Sequence, residues 1–365
     1  VVSISGTIVL APALEAEGFL SMELYHHHVR AALEPVARER GWAVESLDAS
    51  SGFWGKQGLR YVGYPRRARA ALRSARPSLL HVLDHSSAHL CRVAGPSVVT
   101  CHDMAHYEHP ELGVAQQALW RWRVAGMKRA RRVVTVSAHV ARQVEIFLGV
   151  PKEKIVVNPN GLSPAFGPGP VDEPVPPALA PWKGRHPLVL HVGSNLGRKN
   201  LPVLIRALGL MRKEGWDPVL VKAGAGLADD GLGGELEAAG LQNRVCELGV
   251  LDQQQLAVVY RACDVLSFPS LVEGFGWPTI EAQACGLPVV LARATCMEEV
   301  GGAGALYHDP HDAGALAGRL KEILGSPEVR AALVERGKAN AARFTWSAHA
   351  QRLAGVYAEV LGETA

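Results

Sequence analysis

Two glutamates, Glu273 and Glu281, are separated by seven residues in the stretch SLVEGFGWPTIEAQACGLPVV, which runs from Ser270 to Val290. They flank a glycine-rich turn and the start of a segment opened by Pro278, a residue suited to a helical first turn because its missing N–H is not needed there. A carboxylate can accept two hydroxyl hydrogen bonds at once, which suits the vicinal diol of a ribose or a hexose. Gly274 and Gly276 let the backbone approach a ligand closely, and the helix start that follows offers free N–H groups and positive potential to an anion. The plain alternative is a strand-turn-helix unit carrying a solvated glutamate.

A second stretch, HVGSNLGRKNL, places Gly193, Gly197, Arg198, Lys199 and Asn200 where a strand gives way to a helix. Adjacent cations in a glycine-containing loop can neutralise a diphosphate, the arginine through its planar fork and the lysine as a point charge. Surface Arg-Lys pairs are common, so the weight comes from the position, a strand end like that before Glu273. In VVTCHDMAHYEHPE, His102 and Asp103 also follow a strand, as do Asp84, His85 and His89 in HVLDHSSAHL. Capping or core roles are the alternative for these histidines. His26, His27 and His28 are consecutive, and on a helix consecutive side chains diverge, so they are not read as a metal cluster. No serine, cysteine or lysine is arranged as a nucleophile beside a base. No Asp-x-Asp stands ready for a divalent metal.

These residues need elements to hold them. Short β-branched runs alternate with longer helical stretches: 79–84, 97–103 and 132–137 in the first half, and 187–193, 218–224, 264–269 and 288–293 in the second, read as buried strands. Helices are expected between them at 116–130, 200–213, 253–263 and 312–324. Such alternation predicts parallel sheets covered by helices on both faces. Eight of the 24 residues from Pro164 to Pro187 are proline, which predicts a stiff linker near the middle of the 365-residue chain, a length that suits two domains. The division is 1–165, a linker at 166–186, 187–345, and a C-terminal helix at 346–365 that returns to the first domain. Two doubly wound domains would face each other across a cleft at their strand ends.

Composition limits the alternatives. A mean hydropathy of +0.07 and the lack of a long uncharged apolar run argue against a membrane span. The first twenty residues have no basic region ahead of their apolar part, so no secretory signal is read there, and Val1 is taken to follow a trimmed initiator methionine. The six cysteines form no C-x-x-C pair and are expected to be buried thiols of a cytoplasmic protein. The net charge of +3 is unevenly spread: residues 56–132 hold 14 basic and 4 acidic residues. Arg66, Arg67, Arg69, Arg73 and Arg76, with Trp120 and Trp122 among further cations, would suit a peripheral contact with an anionic membrane. A solvated basic face with tryptophans turned inward is the alternative. Nucleic acid is not expected, because no recognition motif accompanies the charge.

The second half resembles the donor domain of the retaining glycosyltransferases of family 4, whose GT-B fold pairs two Rossmann-like domains. The resemblance rests on Glu273 and Glu281 within EGFGWPTIEAQACGLPVV, on Arg198-Lys199, and on NPNGLSPAF (158–166), VVYRACDVLSFPS (258–270) and EEVGGAGALYHDP (298–310). It implies an α/β protein of that fold moving a hexose from a nucleoside-diphosphate sugar to a glycan, lipid-linked or small-molecule hydroxyl. Configuration would be retained, and neither metal nor cofactor would be needed. Glu281 would hold the ribose and Glu273 the transferred sugar. Backbone N–H groups from Gly274 through Phe275, Gly276 and Trp277 would bind sugar or phosphate, Val250 would edge the base, and Arg198 and Lys199 would stabilise the leaving diphosphate. His102 would lie by the donor sugar, with Asp103, Asp84 and His85 toward the acceptor. Family members carry paired glycines in the first strand-to-helix loop to pass close to the donor phosphate; this chain has only Gly18 for that donor contact, which makes an acceptor contact from Glu15 or Glu17 conceivable. The GRKNL form of the phosphate loop favours GDP-mannose, with UDP-glucose next. Two rivals are a nucleotide-dependent dehydrogenase, which would need a G-x-G-x-x-G after the first strand, and a non-catalytic nucleotide-sugar sensor, which would lose the sugar-side residues.

Overall fold

The computed structural model describes residues 6–12, 20–47, 64–93, 95–108, 113–170, 172–227 and 231–363. The chain forms two compact units, one of residues up to Gly161 together with those from Thr345 onward, the other of Leu162–Phe344.

In the first unit six parallel strands, β1 (Gly6–Ala11), β2 (Trp42–Ser46), β3 (Leu79–Val82), β4 (Ser97–Cys101), β5 (Arg132–Thr135) and β6 (Ile155–Val157), stand in the order β2-β1-β3-β4-β5-β6. β3, β4 and β5 are short apolar runs buried along almost their whole length, as strands covered on both faces must be. Helix Leu20–Glu39 and the C-terminal helix Trp346–Leu361 pack together. The latter starts at Thr345, whose side chain accepts the Ala348 N–H, and is tied to this unit by the Asn158 amide on the His349 carbonyl at 3.1 Å and by an Arg132–Glu359 ion pair.

The second unit repeats the plan with β7 (Leu188–Gly193), β8 (Val219–Gly224), β9 (Val245–Gly249), β10 (Val265–Phe268), β11 (Val289–Ala292) and β12 (Ala305–His308), all parallel, in the order β12-β11-β10-β7-β8-β9. Its core joins Val189, Leu220, Val265 and Val290 of the sheet to Leu204, Leu208, Leu316 and Leu320 of helices Leu201–Lys213 and Ala313–Gly325. Each such side chain contributes roughly 1.5–3 kcal/mol on burial. Helix starts follow local chemistry: Asp252 and Gln255 form a reciprocal capping box on helix Gln253–Ala262, and Ser326 caps helix Pro327–Ala341.

The proline-rich stretch lies inside this second unit. Phe166 and Leu179 are buried there, and Glu173 holds Arg261 through two hydrogen bonds of 2.6 Å. Two expected helix limits shift: the segment expected as one helix over 116–130 is helix Val114–Val124 followed by a tighter 3-10 turn, Ala125–Arg129. All six cysteines are buried thiols.

Candidate active site

In the second sheet β7 and β10 are neighbours although about seventy residues separate them, and the chain leaves them toward opposite edges. The crevice beyond their carboxyl ends is where an open α/β sheet takes its ligand. One loop, Gly193 to Asn200, leaves β7, and another, Pro269 to Gly276, leaves β10. They are joined by the Leu271 N–H on the Arg198 carbonyl at 2.8 Å and by Arg198 Nη1 on the Val272 carbonyl at 3.2 Å. Asn200, in the left-handed region at φ 56°, donates its side-chain amide to the carbonyls of Pro269 (3.2 Å) and Pro310 (2.7 Å).

This arrangement brings together three of the residues singled out from sequence. Lys199 Nζ donates to Glu273 Oε1 at 2.5 Å, and Arg198 Nη1 is 3.6 Å from the same oxygen. Glu273 is 9% exposed, so both cations meet a carboxylate largely withdrawn from water. The backbone of Glu273 is fixed as well: its N–H donates to Thr295 Oγ1 at 3.2 Å, and the Cys296 thiol donates to its carbonyl at 3.2 Å. Thr295 has a φ of +50°, so a strained turn supplies that contact.

Gly276 heads helix Trp277–Ala284 at φ +81°, and a Cβ there would lie 2.7 Å from Met297 Cε, so glycine is required on both counts. Phe275 is a buried anchor against Phe344, with ring centroids 5.5 Å apart, which leaves its backbone, not its ring, for a ligand. Gly274 and Trp277 complete the turn. Gln283 ties the helix down through its amide to the Gly301 carbonyl, and Asn340 donates to Gln283 Oε1, each at 2.8 Å.

Glu281 lies one turn along this helix and accepts the Tyr260 hydroxyl at 2.8 Å. Desolvation pushes its carboxyl up to about 7, against the pull of that hydrogen bond. Val250, just past β9, is 77% exposed, an apolar surface at the strand-end rim. Among the described residues no group of three His, Cys, Asp or Glu is placed to hold a metal ion. A groove of about 560 Å³ at the ends of β11 and β12 is lined by Arg293, Tyr307, Asp309 and Arg319, and its arginines pair with Glu298 and Glu322.

In the first unit His102 follows β4. Its Nε2–H donates to the Leu83 carbonyl at 2.8 Å, so the lone pair sits on Nδ1, and burial with His85 nearby lowers its pKa and keeps the ring neutral. Its backbone N–H points at His85 Nδ1, 3.5 Å away, and the Tyr25 ring meets its own edge to face at 4.5 Å. Asp84 caps the 3-10 helix His85–Arg92, accepting the Ser86 N–H at 3.0 Å and the Ser86 hydroxyl. Burial would raise its pKa, but His85 and these Ser86 donors together bring it below the usual value. Asp103 accepts the Ala105 N–H at 3.0 Å. Asp84 and Asp103 thus serve local turns, and Asp84, His85 and His102 lie together. Gly18, Glu15 and Glu17 fall outside the described residues. Of the three consecutive histidines, His26 meets Ser46 Oγ at 3.0 Å and His28 stacks on Trp346, but the His27 and His28 rings do not part as expected and meet edge to face at 5.5 Å.

The basic face divides its tryptophans. Trp120 is buried among His85, His106 and Tyr107, whereas Trp122 is 55% exposed with the Arg92 guanidinium 4.5 Å over its ring. Arg66, Arg69, Arg73, Arg76, Arg129 and Arg131 are exposed. Among the described residues no helix is long and apolar enough to cross a membrane.

Comparison with known proteins agrees with this architecture. The family model for glycosyl transferases group 1 matches residues 179–340, and that for glycosyltransferase family 4 matches residues 10–166. The chain belongs to the family 4-like glycosyltransferases. It is 28% identical over 291 residues to the O-antigen chain mannosyltransferase B of Escherichia coli, covering 78% of this chain and 74% of that one. It is 33% identical over 285 residues to the D-inositol 3-phosphate glycosyltransferase of Thermobispora bispora, covering 73% of this chain and 65% of that protein, so it spans a little under two thirds of that relative. The structure of Anabaena HepE in complex with UDP and glucose superposes with a TM-score of 0.76 at 20% identity, covering 97% of this chain and 100% of the other, a likeness of fold. This is the GT-B fold: two Rossmann-like units, each with a six-stranded parallel sheet.

The sequence reading missed Tyr260, Thr295, Cys296 and the buried Lys222 of β8. Tyr260 and the pair Thr295-Cys296 support Glu281 and Glu273 from other elements, and only the signal of position after a strand or within the preceding helix pointed toward them.

Proposed function

We propose that this glycosyltransferase moves a hexosyl group from a nucleoside-diphosphate sugar to a hydroxyl of a glycan, lipid-linked or small-molecule acceptor, with retention and without a metal. The observation that carries the reading is the Lys199–Glu273–Arg198 cluster at the β7/β10 switch point, beside the glycine-headed helix that bears Glu281. A diphosphate needs cations and backbone N–H groups, a ribose needs a carboxylate for its diol, and the second unit offers all of these at one sheet edge. Glu273 is held by two cations, which suits a residue that binds the transferred sugar more than one that attacks it. In the transfer, the acceptor oxygen bonds to the anomeric carbon on the face from which the diphosphate departs. The C–O bond to phosphate breaks as it does so, and the acceptor proton goes to the leaving phosphate oxygen. Arg198, Lys199 and the helix start stabilise the charge that develops there, the kind of preorganised field that is often the largest catalytic contribution.

GDP-mannose is the first donor in this reading, supported by the GRKNL loop and by the mannosyltransferase relative, and UDP-glucose is the next, supported by the ligands of HepE. The exposed Trp122 with its arginines supports a peripheral contact with anionic membrane on the cytoplasmic side, and hence a lipid-linked or acidic acceptor. A thermal-shift panel of GDP, UDP and ADP sugars tests the donor site. Stabilisation by one base series, lost in Glu281→Ala, is expected, and no stabilisation by any of them would refute the reading.

A further inference from the structure

β8 reads VLVKAG, and the lysine in its middle is 1% exposed. Withdrawing an ammonium from water costs several kcal/mol, so a lysine inside a central strand calls for compensation and for a reason. Its Nζ turns toward the carboxyl ends of the sheet, donating to the Gly193 carbonyl at 2.5 Å and the Ala223 carbonyl at 3.2 Å. Gly193 is the last residue of β7 and the first of the loop that carries Arg198 and Lys199. At φ +133° it holds a conformation that favours glycine, and a Cβ there would lie 3.5 Å from Lys199 Cε. Across the register Gly224, at φ +108°, lies so close that a Cβ there would sit 2.3 Å from the Gly193 carbonyl oxygen.

The strand partner of Lys222 adds to the picture. His191 is fully buried, and neither ring nitrogen has a hydrogen-bond partner among the described residues. Burial, then Lys222, then Lys199, hold its pKa well below the ordinary histidine value, so the imidazole is a neutral spacer with both ammonium groups nearby. Three cations, Lys222, Arg198 and Lys199, therefore serve the ends of β7 and β8, and Glu273 is the carboxylate paired with the latter two.

We propose that Lys222 is a positioning residue for the donor diphosphate: it pins the Gly193 carbonyl, and with it the loop bearing Arg198 and Lys199, and sets a buried positive charge behind them. The inference rests on the donor-site reading above. Lys222→Met removes charge and donor at nearly constant volume, and Lys222→Gln removes the charge while keeping a donor. Each full-length variant is titrated calorimetrically with UDP, GDP, uridine and guanosine, and kcat and KM are measured on the preferred donor sugar. For the diphosphate that the wild type binds, affinity falls by about tenfold or more in Met and less in Gln, while the matching nucleoside binds as before. Lys222→Gln keeps the comparison open if the Met variant does not fold. An equal loss for nucleoside and diphosphate, or a folded Met variant with unchanged diphosphate affinity, would overturn the inference. Failure of the wild type to bind either diphosphate would instead overturn the donor reading, and this inference with it.

Discussion

Breaking the Lys199–Glu273 pair separates what the pair does for the fold from what it does for the reaction. The two groups are 2.5 Å apart with side chains 11% and 10% exposed, so solvent screening is slight and a charge-assisted hydrogen bond here is worth about 1.5–3 kcal/mol. Arg198, 3.6 Å from the same oxygen, retains part of the attraction when Lys199 is lost, which puts Lys199→Met near the middle of that range, about 2 kcal/mol. For a unit of this size that lowers the midpoint of its unfolding by roughly 4–8 °C. Glu273→Gln costs a similar amount, because it leaves Lys199 and Arg198 close together without the carboxylate between them. The double variant costs about 2–3 kcal/mol, less than the roughly 4 that additive losses would give, a coupling of about 1–2 kcal/mol by double-mutant cycle. Turnover behaves otherwise: each single variant loses about 100-fold or more, and the double variant regains none of it, since phosphate and sugar contacts are both gone. Calorimetric unfolding and initial rates of nucleoside diphosphate release supply the two readouts. A double variant whose turnover loss falls as far short of the product of the single losses as its stability loss falls short of their sum would show the pair to be a structural strut and refute its place in the reaction.

Other outcomes follow from the same geometry. Glu281, with its carboxyl at about 7, is mostly ionised at pH 8 and mostly protonated at pH 6, so nucleotide affinity falls by about tenfold on acidification across that window, and Glu281→Gln flattens the dependence in a titration series. The sign for stability is opposite: a carboxyl raised in the folded state favours the fold at low pH, and that contribution is lost as pH rises through about 7, which thermal melts of the unliganded protein at pH 6 and 8 would register. Transfer continues in EDTA, and abolition of activity with rescue by manganese would contradict the metal-free reading. Vesicles of anionic lipid co-sediment with the protein at low salt, and Trp122→Ala combined with glutamine at Arg129 and Arg131 weakens this; equal binding to neutral vesicles or none to anionic ones would leave a soluble acceptor.

Much of this was legible from residue types and strand ends. Apolar runs such as PLVLHVG and DVLSFP are short, β-branched and bounded by proline or glycine, and they became β7 and β10 within a residue at each end. Once these are neighbours in one parallel sheet, the Arg198-Lys199 loop and the Glu273 loop must leave the same edge. What stayed hidden depends on tertiary contact. Trp42–Ser46, Val245–Gly249 and Ala305–His308 have polar or mixed character and form strands only because a neighbour offers its edge. Lys222 read as one more position of an apolar strand, since nothing local says that its ammonium would reach the Gly193 carbonyl. Trp120 and Trp122 differ by two residues, yet one is buried and the other exposed, a distinction set by which face of the helix meets His85, His106 and Tyr107.

The central claim is that the second unit binds and activates a nucleoside-diphosphate sugar. It is tested most directly by following GDP-mannose and UDP-glucose by phosphorus and proton NMR, each incubated with the protein and no acceptor. Slow appearance of free nucleoside diphosphate from one of them is expected, with the sugar first released in the donor's own anomeric form and the reaction lost in Glu273→Ala and Lys199→Met. Release of the opposite anomer would contradict retention, and intact donors over folded protein that does not bind them would contradict the account itself.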